Sequence, residues 1–154
     1  MTDISKSLIP SKTYGDRKNV YKILKQAGSG AFGTIYKAQH INATNRNYQT
    51  VALKLIAHDI YREEFKDFEA NLAAKIEIEM LTKIRSSGSP YLDLLLNDTK
   101  IRDNLVMVFP WYDGMNLYER YYEKQKIPGA DDQIKIFEQL AKGLDHLHGL
   151  NWMV

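Results

Sequence analysis

Two strand-like stretches flank a glycine cluster, and that junction limits the fold more than any other feature. Gly28, Gly30 and Gly33 are spaced G-x-G-x-x-G between VYKILKQ (20–26) and TIYKAQH (34–40). The spacing serves two unrelated nucleotide-binding designs and also occurs in plain turns. A dinucleotide fold needs the glycines to open a helix whose N-terminus holds the pyrophosphate. Here Gly33 is followed by Thr34, Ile35 and Tyr36, a β-branched and aromatic run that favours a strand. The dinucleotide design also wants an acidic residue about 20 positions on. The residues there, VALKLIA (51–57), carry only the positive Lys54. A strand–loop–strand hairpin fits the other design, a flap whose backbone closes over phosphates without Cβ clashes. Ile35 would then cover one face of the base. The plain turn stays open as a third reading.

The rest of the chain sets the context. Residues 1–18 are polar, contain Pro10 and Gly15, and read as a flexible lead-in. INATNRNYQT (41–50) reads as a long hairpin loop, and VALKLIA as a third strand. A helical pattern runs over about 63–86 and stops at Ser-Ser-Gly. LDLLLND and NLVMVFPW read as two more strands joined by TKIRD. A helix follows over 114–126, and Asp131 is the expected N-cap of a last helix over 132–148. Strands linked mostly by hairpins imply an antiparallel sheet and an α+β fold.

Lys54 interrupts an apolar strand. It is either an edge lysine with a snorkelling stem or a phosphate-gripping lysine, which needs a carboxylate to orient it. Helix spacing ranks the carboxylates. Glu77 has Ala73, Met80, Leu81 and Ile84 around it, whereas Glu79 sits between Lys75 and Lys83 on a solvated face. A carboxylate among apolar neighbours is costly unless a cation meets it, so Glu77 is the expected partner of Lys54. Glu69 is a weaker candidate, flanked by Phe65, Leu72 and Ala73.

Composition narrows the classes. At 154 residues, 44% hydrophobic and 26% charged, the chain has the make-up of one ordinary globular domain. A net charge of +2 argues for neither a direct nucleic-acid partner nor a membrane surface. No cysteine is present, so there is no disulfide framework and no thiolate site. No signal peptide or membrane span is legible, and a cytoplasmic or nuclear location is expected. The glycosylation-type triplets at Asn42 and Asn97 read as coincidence without a signal. His146 and His148 point to different sides of a helix, so no metal pair is expected.

Taken in order, these parts resemble the N-terminal lobe of eukaryotic protein kinases of the serine/threonine type. The matching residues are Gly28-x-Gly30-x-x-Gly33-x-Ile35, Val51-Ala52-Leu53-Lys54, Glu77 in a helix, and NLVMVFPWYDG as the last lobe strand and hinge. The resemblance implies a five-stranded antiparallel sheet with one long helix, over residues 19–112. The first helices of a C-terminal lobe would occupy 113–154. It implies ATP held by Gly28, Ser29, Gly30, Ala31, Phe32, Gly33, Ile35, Ala52 and Lys54. Phe109 would be the gatekeeper, with Pro110, Trp111 and Tyr112 on the hinge. Backbone groups of Pro110 and Tyr112 would bond adenine, and Asp113 or Asn116 would reach the ribose. Ala27 departs from the larger aliphatic usual before the first glycine, which leaves the adenine roof looser. At a finer level, GSPYLDLLLNDTKIRDNLVMVFPWY is similar to the replication-origin-firing cell-division-cycle kinases, which work with a regulatory subunit.

The helix DDQIKIFEQLAKGLDHLH has a broad apolar face built to be buried. In the family its ending leads directly into the His-Arg-Asp catalytic loop, and neither that triplet nor Asp-Phe-Gly occurs in these 154 residues. The expectation is therefore an ATP-binding part without catalytic or metal-holding residues, Mg²⁺ belonging to a fuller relative, and no phosphoryl transfer by this chain alone. A kinase remnant acting as a nucleotide- or protein-binding module is the alternative. A protein substrate or regulatory subunit is compatible with either.

Overall fold

The computed structural model describes residues 8–30, 33–56, 66–101 and 104–150. Among them, strands β1 (Thr13–Gly15), β2 (Val20–Gly30), β3 (Gly33–His40), β4 (Thr50–Ile56), β5 (Asn97–Ile101) and β6 (Asn104–Pro110) form one antiparallel sheet. Its order is β1-β2-β3-β4-β6-β5. Helix α1 spans Lys66–Ser87 and helix α2 Ala130–Gly149. The chain divides into two compact units. The first holds residues 1–83 and 94–111, and the second holds 84–93 and 112–154.

The first unit is built on strand alternation. On β4, Val51, Leu53 and Leu55 are buried and point to one face, with Ala52 and Lys54 on the other. Register carries the first set across the sheet. Ala38 pairs with Val51 and Ile23, Tyr36 with Leu53, and Leu53 and Leu55 with Val108 and Val106. These residues, with Tyr21, Ile101 and Leu8, form the core. Burying each large aliphatic or aromatic contributes about 1.5–3 kcal/mol.

Two sequence expectations need correction here. Within the polar lead-in, Leu8 is buried and its N–H donates to the Tyr36 hydroxyl at 3.3 Å, while residues 13–15 make a sixth strand against β2. The fifth strand lies at Asn97–Ile101, one step later than LDLLLND suggested. Leu95 is fully buried without being in a strand, so the leucine run marks burial, not pairing. The polar loop 41–50 is tied down by Asn42. Its Oδ1 accepts from the Val20 N–H at 2.8 Å, and its Nδ2 donates to the Lys18 carbonyl.

In the second unit the expected helix over 114–126 is a short π-helical segment, Tyr118–Tyr122, opened by Asn116. The Asn116 Oδ1 accepts from the Glu119 N–H at 2.8 Å, and Glu119 Oε2 accepts from the Asn116 N–H at 3.1 Å. This reciprocal capping box satisfies two otherwise orphaned donors. Helix α2 begins earlier than expected, with Gly129 as its N-cap and Asp131 inside the first turn, where a carboxylate favours the helix dipole. Gly143 lets α2 approach the 84–93 segment, since a Cβ there would stand 3.2 Å from the Tyr91 carbonyl oxygen. Ile134, Phe137 and Leu140 are each more than 60% exposed.

Candidate functional site

The sheet has a second face, and the sequence-predicted residues gather on it. Register aligns Gly28 with Ile35, Ile35 with Lys54, Lys54 with Met107, and Ala52 with Phe109. Directly paired residues share a face. Gly28, Ile35, Lys54, Ala52 and Phe109 therefore stand together, opposite the core described above. Two bulges in β2 produce this arrangement. Leu24 and Ala27 are the extra residues, and each shifts the strand by one position relative to β3. The second bulge moves Gly28 onto the Lys54 face. Ala27, the small residue before the first glycine, is thus a bulge residue.

The three glycines differ in what holds them. Gly33 has φ +142°, and a Cβ on it would lie 2.2 Å from the Leu55 carbonyl oxygen. No side chain fits there. Gly28 and Gly30 have nothing within 4 Å of an added Cβ, so the fold itself does not require glycine at either position. Ser29 lies in β2 between them and is exposed. Ala31 and Phe32 fall outside the described residues.

Helix α1 brings a carboxylate to Lys54. Lys54 Nζ donates to Glu77 Oε1, with the two side chains 21% and 36% exposed. Glu77 follows Ala74 and precedes Leu81 at helical spacing, and both of those are buried. Leu72, Ile76 and Met80 are half-exposed, so Met80 does not share the Glu77 environment that spacing suggested. Glu69 lies in the first turn of α1, where only the backbone is described.

At the end of β6, Pro110 pairs with Val51, and the Trp111 N–H donates to the Thr50 carbonyl at 3.3 Å. Lys37 places its ammonium 4.6 Å from the Trp111 ring centre. Sequence reading missed this cation–π contact, although Lys37 and Ala52 are cross-strand partners on the Lys54 face. Tyr112, Asp113 and Asn116 belong to the second unit. Tyr112 is 69% exposed there, and Asn116 has its side-chain oxygen committed to the cap. Among the described residues no three His, Cys, Asp or Glu side chains cluster to hold a metal, and no helix is long and apolar enough to cross a membrane.

Comparison with known proteins agrees with this arrangement. Residues 21–153 match the protein kinase domain family. The carbon catabolite-derepressing protein kinase of Candida albicans is 26% identical over 139 residues, covering 90% of this chain and 20% of that protein. Cyclin-dependent kinase 12 of Caenorhabditis elegans is 28% identical over 141 residues, covering 86% of this chain and 18% of that protein. The chain thus spans about a fifth of the length of the curated relatives it matches. Among solved structures, the kinase domain of M. tuberculosis PknI superposes with a TM-score of 0.67 at 14% identity, over 93% of this chain and 51% of that one. With a glycine hairpin, a strand lysine paired to a helix glutamate, and a family match across most of its length, the chain belongs to the protein kinase domain family.

Proposed function

We propose that residues 19–112 bind ATP as the N-terminal lobe of a serine/threonine kinase domain, with Lys54 gripping the α- and β-phosphates and Glu77 holding it in place. The observation that carries the reading is the ion pair between Lys54 and Glu77 on the face that also bears Gly28, Ile35, Ala52 and Phe109. A partly exposed pair of this kind adds only about 0–1 kcal/mol to folding. Its value lies in presenting a fixed ammonium to an anion. Open space at Gly28 and Gly30 supports the same reading, because glycine there suits close backbone approach by phosphates. Gly33 alone is accounted for by turn geometry.

In this reading Ser29, Ala31 and Phe32 complete the flap, Ile35 and Ala52 cover one face of the base, and Phe109 closes the pocket behind it. Pro110 and Tyr112 supply the backbone groups for adenine. Mg²⁺ and a protein substrate come with the fuller relatives. The subfamily resemblance to origin-firing kinases rests on the stretch GSPYLDLLLNDTKIRDNLVMVFPWY, with I-R-D before β6 and Pro110 at the hinge. The test is thermal: ATP at about 100 times its Kd should add about 2.7 kcal/mol of stability. Lys54→Ala should abolish that gain while leaving the ligand-free chain folded. An unchanged ATP shift in the Lys54→Ala protein overturns the assignment.

A further inference from the structure

Next to the row of Gly28, Ile35, Lys54 and Met107, a second row of paired residues crosses the same face of the sheet. Register aligns Lys25 with Lys37, Lys37 with Ala52, and Ala52 with Phe109. Lys25 and Lys37 are thus like charges directly opposite each other, a pairing that disfavours a sheet by itself. Lys25 is exposed, whereas Lys37 is half-buried and holds its ammonium 4.6 Å from the Trp111 ring centre. Strand β4 lies between β3 and β6, so this contact ties β3 to the residue that follows β6 across the strand between them. Lys37, Thr50, Pro110 and Trp111 all belong to the first unit.

The backbone holds that end of β6 only loosely. Pro110 has no N–H, so it donates nothing to the ladder. The Trp111 N–H reaches the Thr50 carbonyl at 3.3 Å, longer than the usual range of about 2.7–3.2 Å. The Trp111 N–H and the Pro110 carbonyl belong to one planar trans peptide. Whatever fixes the Trp111 backbone therefore also fixes the direction of the Pro110 carbonyl. A tryptophan face is the best partner for a cation, and the half-buried Lys37 supplies one.

We propose that Lys37 and Trp111 clamp the end of β6 and so aim the Pro110 carbonyl at the base, which makes both of them positioning residues for adenine. This rests on the nucleotide reading above, in which that carbonyl bonds adenine. It gives the two rows different tasks: the row of Lys54 serves the phosphates, and the row of Lys37 serves the base.

Calorimetric titration of the whole chain with ATP, adenosine and inorganic tripolyphosphate tests the division. Lys37→Met should weaken ATP and adenosine by the same factor, about two- to fivefold, the range of a partly exposed cation–π pair. Tripolyphosphate affinity should change less. Trp111→Leu removes the ring and no charge, and should give the same split. Lys37→Arg keeps a cation over the ring and should restore adenosine affinity. The two residues act as one unit, so Lys37→Met combined with Trp111→Leu should lose no more than either alone. A general loss of structure would instead lower all three affinities together.

Full adenosine affinity in Lys37→Met, an equal loss of tripolyphosphate, or additive losses in the double variant would each overturn the positioning role and leave the nucleotide reading standing. A wild-type chain that binds tripolyphosphate but not adenosine would overturn the positioning role as well. A wild-type chain that binds none of the three would overturn the nucleotide reading itself, and this inference with it.

Discussion

Gly33 and Leu55 approach so closely that a Cβ on the glycine would stand 2.2 Å from the leucine carbonyl oxygen, whereas Gly28 and Gly30 face open space. The glycine motif therefore divides into one residue the fold needs and two it does not. Gly33→Ala meets backbone that cannot rotate away and a φ that alanine disfavours, at a cost of about 1–3 kcal/mol or more. Its Tm should fall by several degrees, at roughly 2–4 °C per kcal/mol for a chain of this size. Gly28→Ala and Gly30→Ala should leave Tm within about 2 °C. Calorimetry of the three ligand-free variants decides it, and equal losses would contradict the division.

The same two tolerant positions should matter to nucleotide. Gly28→Val and Gly30→Val should reduce the ATP-dependent thermal shift, because in the proposed reading their side chains would occupy the space of the phosphates. Glu77→Gln keeps the shape of the side chain and removes its charge. It should weaken ATP less than Lys54→Ala does, since the lysine remains but is no longer anchored. Calorimetric titration of ATP into each variant gives the order. Full ATP affinity in both valine variants would count against a phosphate role for the loop.

Much of this arrangement is legible from residues alone, for identifiable reasons. The β3–β4 pair and β6 read as strands because Ile35, Tyr36, Val51, Leu53, Val106 and Val108 are β-branched, aromatic or aliphatic at alternating positions. Glu77 is legible because a charge at apolar helical spacing needs a cation. Strand β5 is not, because its pattern, Asn97-Asp98-Thr99-Lys100-Ile101, buries only Thr99 and Ile101 and looks polar, while the apolar leucines before it pack without pairing. Strand β1 is three residues long and exists through its pairing with β2, a tertiary effect that no local pattern carries. The bulges at Leu24 and Ala27 are likewise set by the partner strand. The Asn116–Glu119 capping box was readable as N-x-x-E, yet the π-helical form of the turn after it was not.

That box gives a prediction confined to the second unit. Asn116→Ala removes the acceptor for the Glu119 N–H, at a cost of about 1 kcal/mol. Faster amide exchange should appear at residues 116–119, while β2–β4 amides stay protected. Uniformly faster exchange across the chain would show that the cap supports more than its own turn.

His40 supplies a pH dependence with a definite sign. Burial holds its folded pKa below the ordinary 6.5. Above 6.5 the imidazole is neutral in both folded and unfolded chains and adds no slope. Below it the unfolded chain takes up a proton that the folded one resists, so stability declines as pH falls until His40 itself titrates. An NMR titration should give a His40 midpoint under 6.5, and His40→Gln should flatten the decline in Tm over that window. A midpoint above the ordinary value would reverse the sign and refute the burial argument.

Ile134, Phe137 and Leu140 make α2 apolar on a face that is largely exposed in the second unit. A contiguous apolar patch drives association or dye binding. Phe137→Lys and Leu140→Lys should raise the concentration at which the purified chain stays monomeric, measured by light scattering, without changing the ATP shift. Unaltered scattering would mean that the face is not what limits solubility.

Phosphoryl transfer depends on a positioned base and on metal ions that neutralise developing charge. The resemblance assigns the base to His-Arg-Asp and a metal ligand to Asp-Phe-Gly, and neither triplet occurs among these residues. In the proposed reading Lys54, Glu77 and the glycine hairpin hold a triphosphate, and Glu77, the one carboxylate among them, is engaged by Lys54. The 154-residue chain with ATP, Mg²⁺ and a generic serine/threonine substrate should transfer no phosphate above the Lys54→Ala control. Radiolabelled transfer that tracks the wild-type chain through purification and vanishes in Lys54→Ala would show that another carboxylate serves as the base, and would overturn this expectation.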